Sequence, residues 1–192
     1  MKEKNNEIVI LKPQDLTNSY QSVNKKDLPK YIDAEVIKER LEQVTNNNDR
    51  MLIIFLWMTG CRISEALGVL KKDIDLQNNT IQLRWLKSRK YNYRNIPMHP
   101  QLKQLLSFYL APIKADDRVF PFTRQRAFQI TQKWLGASPH KLRHSFAVHY
   151  LRSGGELFDL HLLLGHSKIQ TTMEYTKIVP KDLAKELNKI EF

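Results

Sequence analysis

The 192-residue chain carries 31 Lys and Arg against 20 Asp and Glu, a formal net charge of +11, an excess that attracts polyanions through a sequence-independent electrostatic term. Its single cysteine, Cys61, excludes an internal disulfide and a cysteine-rich zinc site, and its longest apolar run, residues 51–58, falls far short of the ~20 residues that cross a bilayer. One domain with a substantial core is expected, in a reducing compartment, with nucleic acid or another anionic surface as partner and no membrane.

Residues 1–30 are polar and rich in Lys and Asn, with an apolar patch at Ile8-Val-Ile-Leu11 and a breaker at Pro29, which predicts a tail or linker. From Asp33, an N-cap residue type, Val36, Ile37, Leu41 and Val44 recur at helical spacing as far as the Asn46-Asn-Asn48 break. A second helix from about Asp49 has almost no polar face over 51–58, as in a helix at the centre of a domain, and Gly60 ends it. Arg62-Ile-Ser-Glu65-Ala-Leu67 starts another helical turn, so Arg62 lies at a junction where a rigid base can aim it. Residues 80–85 and 93–98 alternate as two strands of a small sheet do, with 87–92 as the turn between them. The remainder reads as helices over 100–109, 123–135, 139–153, 156–164, 169–176 and 180–190.

Two arginines, two histidines and a late tyrosine stand out against this frame. In a helix opened by Ser138-Pro139, His140 and Arg143 share a face that Ala147 leaves uncluttered. Leu142, Phe146 and Tyr150 recur on another side, so the helix can bury one face and offer the two basic residues to a cleft. Arg62 presents a planar fork suited to two phosphate oxygens, and Glu65 one turn away can fix its rotamer. Two such guanidiniums would neutralise the non-bridging oxygens of a pentacoordinate phosphate, which removes the need for a metal ion. His161 and His166 match no standard zinc spacing, and His166 follows Gly165, where the turn can point its ring into a cleft. Tyr175, with a phenol pKa of ~10, becomes a nucleophile only where a base or cations stand close. In its helix Ile169 and Met173 form the apolar face, which leaves Tyr175 off it and free to reach a substrate. Each feature alone reads as an ordinary amphipathic face, ion pair or packed ring, so the order and context carry the argument.

Thr59-Gly-Cys-Arg-Ile-Ser-Glu-Ala-Leu67, His140-Lys-Leu-Arg-His-Ser-Phe-Ala147 and Leu163-Leu-Gly-His-Ser-Lys-Ile-Gln-Thr-Thr-Met-Glu-Tyr175 follow in that order. Together they resemble the three boxes of the catalytic domain of the tyrosine recombinases, or phage-type integrases. The resemblance implies a mainly α fold with a small antiparallel β-sheet (α+β). It implies that Tyr175 attacks a scissile phosphate to give a 3′-phosphotyrosyl bond, with Arg62 and Arg143 on the non-bridging oxygens, and with no metal, ATP or other cofactor. His140 would be the general base, His166 would hydrogen-bond the phosphate, Glu65 would support the arginines and His144 would pack behind the site. In the family a lysine in the turn between the second and third strands protonates the leaving 5′-oxygen. Lys87 stands at that place, with Lys90 as the alternative, because the usual Gly-Lys-Gly is Leu86-Lys-Ser88 in a longer loop. Arg84, Arg89, Lys90, Arg94, Arg124, Arg126 and Lys141 would contact phosphates of double-stranded DNA, which positions the duplex without reading it.

The expected organisation is a tail over 1–30 and a catalytic domain over 31–192, without the helical core-binding domain that most family members carry. The chain would then be a fragment of a longer enzyme or a short member. Leu183, Leu187 and Ile190 form one stripe of the helix over 180–190. The resemblance implies that this helix docks on a neighbouring protomer in a DNA-bound tetramer, with folding back in cis as the alternative. The expected activity is DNA strand exchange by a cytoplasmic, nucleoid-associated enzyme. The rivals are a type IB topoisomerase-like nicking-closing enzyme, a catalytically silent DNA-binding regulator and a metal-binding regulator.

Overall fold

The computed structural model describes residues 29–87 and 90–179, without the side chains of Leu86 and Lys87. The expected tail, apart from its last two residues, Arg89 and the helix over 180–190 therefore lie outside the described residues. So does the side chain of Lys87.

Helix α1 (Ala34–Glu42) buries Ile37 and Leu41; Asp33 precedes it in an extended conformation without a side-chain cap bond and pairs with Arg152 Nη1 at 2.9 Å instead. Helix α2 (Asn47–Thr59) begins earlier than expected because Asn46 caps it, accepting from the backbone N–H groups of Asn48 and Asp49 at 3.0 Å. Met51, Leu52, Ile53, Ile54, Phe55 and Leu56 are all buried, each contributing about 1.5–3 kcal/mol of transfer free energy. This helix is the central beam, packed against α3 (Ile63–Ala66), α4 (Pro100–Tyr109), α5 (Arg124–Leu135) and α6 (Pro139–Arg152). Gly60 ends it at φ +61, and a Cβ there would strike the Phe146 ring, so the sharp exit towards Arg62 requires glycine.

After a 3₁₀ turn (Lys71–Asp73), strands β1 (Ile74–Asp75), β2 (Thr80–Lys87) and β3 (Lys90–Pro97) form an antiparallel sheet in that order. The expected turn over 87–92 is corrected: Leu86 pairs with Tyr91 and Lys87 with Lys90, so the ladder runs through polar residues that resemble a loop. Strand β1 has two residues, too few to show a period. Helix α7 (Leu157–Leu164) ends at Gly165, φ +63, and α8 (Ile169–Met173) gives way to a 3₁₀ turn (Glu174–Lys177) where one continuous helix was expected. Most of the core lies around α2, and a second cluster of Ala147, Val148, Leu160, Leu164 and Tyr175 lies between α6, α7 and the last turn. Among the described residues no helix is long and apolar enough to cross a membrane.

Candidate active site

Four segments distant in sequence meet at one place: the α2–α3 junction, β3, the start of α6 and the α7–α8 turn. Arg62 is the N-cap of α3. Its backbone N–H donates to Glu65 Oε2 at 2.7 Å and its Nη1 to Oε1 at 2.9 Å, while Nη2 donates to the Gly165 carbonyl at 3.3 Å. Its side chain stays 40% exposed, so the guanidinium is tethered and still open to a ligand.

Arg143 differs from the expectation that its helix would offer it freely to a cleft. It is buried, with Nη1 donating to the Gly60 carbonyl and Nη2 to the Leu164 carbonyl, both at 2.8 Å. Burial, and then the charge of Arg62, push its pKa down to about 10, which leaves it protonated at neutral pH. It nonetheless borders a cleft of about 330 Å³ together with Cys61, Arg62, Arg124 and His140.

His140, His144 and His166 are each shifted towards the neutral form. Burial, followed by the charges of Arg143 and Arg62, lowers His140. His144 is pushed down to about 4 by burial, His140 and Arg143, and its ring packs edge-on against His140 with centroids 4.3 Å apart. His166 falls to about 3 through burial and the charges of Arg143 and Arg62. Its Nδ1 shares a hydrogen bond with Thr172 Oγ1 at 2.9 Å, and His161 Nδ1 reaches the same hydroxyl at 3.2 Å. Both rings thus orient on one buried hydroxyl.

Tyr175 is 2% exposed, packed in the second cluster, and its hydroxyl shares a 2.7 Å hydrogen bond with His144 Nδ1. Burial raises its pKa, and the charge of Arg143 only partly opposes that. The expected free tyrosine is therefore corrected. Met173 is 49% exposed and Thr172 is buried, so the buried face of α8 runs through Thr172, and Tyr175, three residues on in a turn of about three residues per turn, falls on that same face. His144, expected behind the site, touches the hydroxyl, whereas His140 touches His144.

The description "phage integrase family" fits residues 30–181. The chain belongs to the phage integrase family. It is similar to tyrosine recombinase XerA of Saccharolobus solfataricus, 37% identical over 165 residues that make up 83% of this chain and 56% of that protein. It is similar in structure to XerH site-specific recombinase bound to its difH substrate, with TM-score 0.67 and 24% identity over 86% of this chain and 56% of that one. The catalytic domain of bacteriophage HP1 integrase gives TM-score 0.66 and 24% identity over 84% of this chain and 95% of that one. These structural likenesses show the shared fold. The chain spans less than two thirds of the length of the curated relatives it matches.

The remaining candidates of this integrase-family chain divide by accessibility. Arg84 donates through Nε to the Gly68 carbonyl at 3.1 Å and lines a cleft of about 850 Å³ with Arg62, Trp85, Arg118 and His166. Arg124 is exposed, Lys90 is exposed at the start of β3, and Lys141 is half-buried. Arg126 pairs at 3.4 Å with the buried Asp49, which also accepts from Trp134 Nε1 at 3.1 Å. Arg94 is corrected: its side chain is 12% exposed and both terminal nitrogens lie on Glu65, at 2.8 and 3.0 Å, so it is not free to contact a phosphate. Thr172 and Arg118 were not singled out in the sequence. Thr172 lies six residues after His166, a separation that signals nothing until α8 folds back on the turn.

Proposed function

We propose that this chain carries out site-specific cleavage and rejoining of double-stranded DNA through a 3′-phosphotyrosyl intermediate on Tyr175, without metal or ATP. The observation that carries this reading is that Arg62 borders two clefts, one with His166 and the other with Arg143 and His140, with Tyr175 a single hydrogen bond from the His140–His144 pair. The names of the tyrosine recombinase relatives support it.

The Tyr175 oxygen bonds to phosphorus, and the P–O5′ bond breaks. The phenol proton passes to His140, whose lowered pKa leaves its ring free to accept it. The departing 5′-oxygen takes a proton from Lys87 or Lys90. Arg62 and Arg143 hold the non-bridging oxygens, and the neutral His166 donates a hydrogen bond from Nε2 while Thr172 fixes its Nδ1 side. The phosphotyrosyl bond retains the energy for religation, so no nucleotide is needed. Tyr175 must first leave His144 and the second cluster, which makes the described tyrosine position a resting one.

On DNA, four protomers assemble with the helix over 180–190 exchanged between neighbours, and the enzyme works in the cytoplasm on the nucleoid. The test is a nicked suicide duplex carrying a site selected from a randomised library, incubated in chelator and resolved on a denaturing gel. A covalent complex is expected from the wild type and none from Tyr175→Phe. No complex on a bound site sinks the enzymatic reading, and persistence in the variant sinks the nucleophile.

A further inference from the structure

The carbonyls at the end of α7 have no helical partners, since the last turn of any helix leaves its C=O groups unpaired. Three successive ones are each taken by an arginine from a different segment: Leu163 by Arg94 Nε at 3.3 Å, Leu164 by Arg143 Nη2 at 2.8 Å, and Gly165 by Arg62 Nη2 at 3.3 Å. The negative end of the helix dipole favours cations at this place. Two of the three arginines line clefts. Arg94 lines neither.

Arg94 instead touches everything that tethers Arg62. Its Nη1 and Nη2 donate to Glu65 Oε1 and Oε2, so the fully buried carboxylate receives two bonds from Arg94 and two from Arg62. Its guanidinium also lies flat on the Gly165 backbone: a Cβ there would stand 2.8 Å from Nη1 and 2.9 Å from Cζ. Trp85, with its ring centroid 5.3 Å from Cζ, closes another side. Both anchors of Arg62, the Glu65 carboxylate and the Gly165 carbonyl, thus rest against Arg94, and His166 is the next residue in the chain.

We propose that Arg94 is a positioning residue: it joins Glu65 and the α7–α8 turn into one unit and so sets Arg62 and His166 in register for a bound phosphate, an inference that rests on the recombinase reading. Arg94 itself touches no substrate. A residue acting in this way alters the rate of cleavage more than the affinity for DNA, because a displacement of about 1 Å at a reacting group costs on the order of 100-fold.

The test compares Arg94→Gln and Arg94→Lys in the full chain on the suicide duplex, with single-turnover formation of the covalent complex set against duplex binding by fluorescence anisotropy. Arg94→Gln is expected to slow cleavage by about 100-fold while affinity changes little. Arg94→Lys recovers only part of the rate, since one ammonium cannot bind both carboxylate oxygens and the Leu163 carbonyl. Cleavage at the wild-type rate, or equal loss of rate and affinity, overturns the proposal. The nitrogen-15 resonances of the Arg62 guanidinium and the His166 ring, recorded without DNA, decide it independently of catalysis. They shift in both variants if Arg94 holds both groups, and unchanged resonances overturn it. If Arg94→Gln does not fold, Arg94→Lys alone gives both readouts. A wild type that never forms the covalent complex defeats the recombinase reading, and the resonances still judge the clamp.

Discussion

The arginine side and the tyrosine side of the candidate site are built on different principles. Arg62 and Arg94 share Glu65, and together with Arg143 they take three helix-end carbonyls, so the groups that would meet a phosphate are fixed before any ligand arrives. Tyr175 sits on a short 3₁₀ turn, held by apolar packing and one shared hydrogen bond to His144, and it lines neither cleft. Electrostatic preorganisation is lost if the charges can move, whereas an attacking group can be withheld until the assembly is complete. The difference teaches that one side is held by a network of charged hydrogen bonds and the other by apolar packing and a single shared bond.

The largest expected effect isolates the tyrosine side. Tyr175→Phe should abolish covalent complex formation and leave duplex affinity nearly unchanged, because the hydroxyl meets His144 and not the cleft. A matching loss of affinity in an anisotropy titration would mean that Tyr175 belongs to the binding surface after all. Next comes Glu65→Gln on the arginine side. It leaves two arginines facing a neutral amide at a site with no exposure, and breaking such a buried pair costs about 3–5 kcal/mol. Denaturant unfolding checks this, and a loss below ~1 kcal/mol, the value of an exposed pair, would show that the clamp is not rigid.

Gly165→Ala tests the same clamp from its backbone. The residue lies at φ +63 and a Cβ would press on the Arg94 guanidinium, so a loss of about 1–3 kcal/mol is expected, with the His166 resonances displaced. An alanine tolerated at no cost would place the turn outside the rigid half.

These outcomes also bear on what was legible beforehand. Arg62, the His140–Arg143 pair, His166 and Tyr175 could be singled out because each belongs to a local run whose residue types suit one chemistry. The partners of Arg94 were not legible, since they lie 29 and 69 residues away and nothing local separates an arginine open to solvent from one spent on a carboxylate. The central helix was read correctly from its missing polar face, while the hairpin was underestimated because paired Lys and Asn residues look like loop. The inward side of Tyr175 escaped because residue types pointed to Met173 as the buried position of its helix, whereas Thr172 is buried, Met173 is exposed and Tyr175 follows Thr172 by one turn.

pH divides the two sides in one measurement. His144 and His166 are bases whose folded pKa values, about 4 and about 3, lie below the ordinary 6.5. Between pH 6.5 and those values the unfolded chain binds protons that the folded chain refuses, so stability falls as pH falls through this window and is flat above it. Glu65, lowered because the bonds and charge of Arg94 and Arg62 outweigh the effect of burial, adds a further loss that begins as pH falls through the ordinary carboxylate value of 4.5, within the same window. Thermal unfolding from pH 3 to 8 should show this slope. His144→Gln should remove the tyrosine-side share and His166→Gln the arginine-side share, and a slope unchanged in both variants would refute the assignment.

The smallest effect concerns the hydrogen bond that holds the proposed nucleophile, Tyr175, against His144. His144→Phe keeps an aromatic ring beside His140 and deprives the Tyr175 hydroxyl of its partner, at a cost of about 1–3 kcal/mol for a buried group left unpaired. That penalty falls on the parked conformation alone, so the released one gains population. Chemical nitration of Tyr175, read by mass spectrometry of the tryptic peptide, should quicken relative to the wild type, in which the ring is 2% exposed. A rate no faster than the wild type's would show that the apolar cluster of Ala147, Val148, Leu160 and Leu164 holds the tyrosine without help from the histidine. The two sides would then differ in how firmly they are packed, and the hydrogen bond would contribute nothing to the contrast.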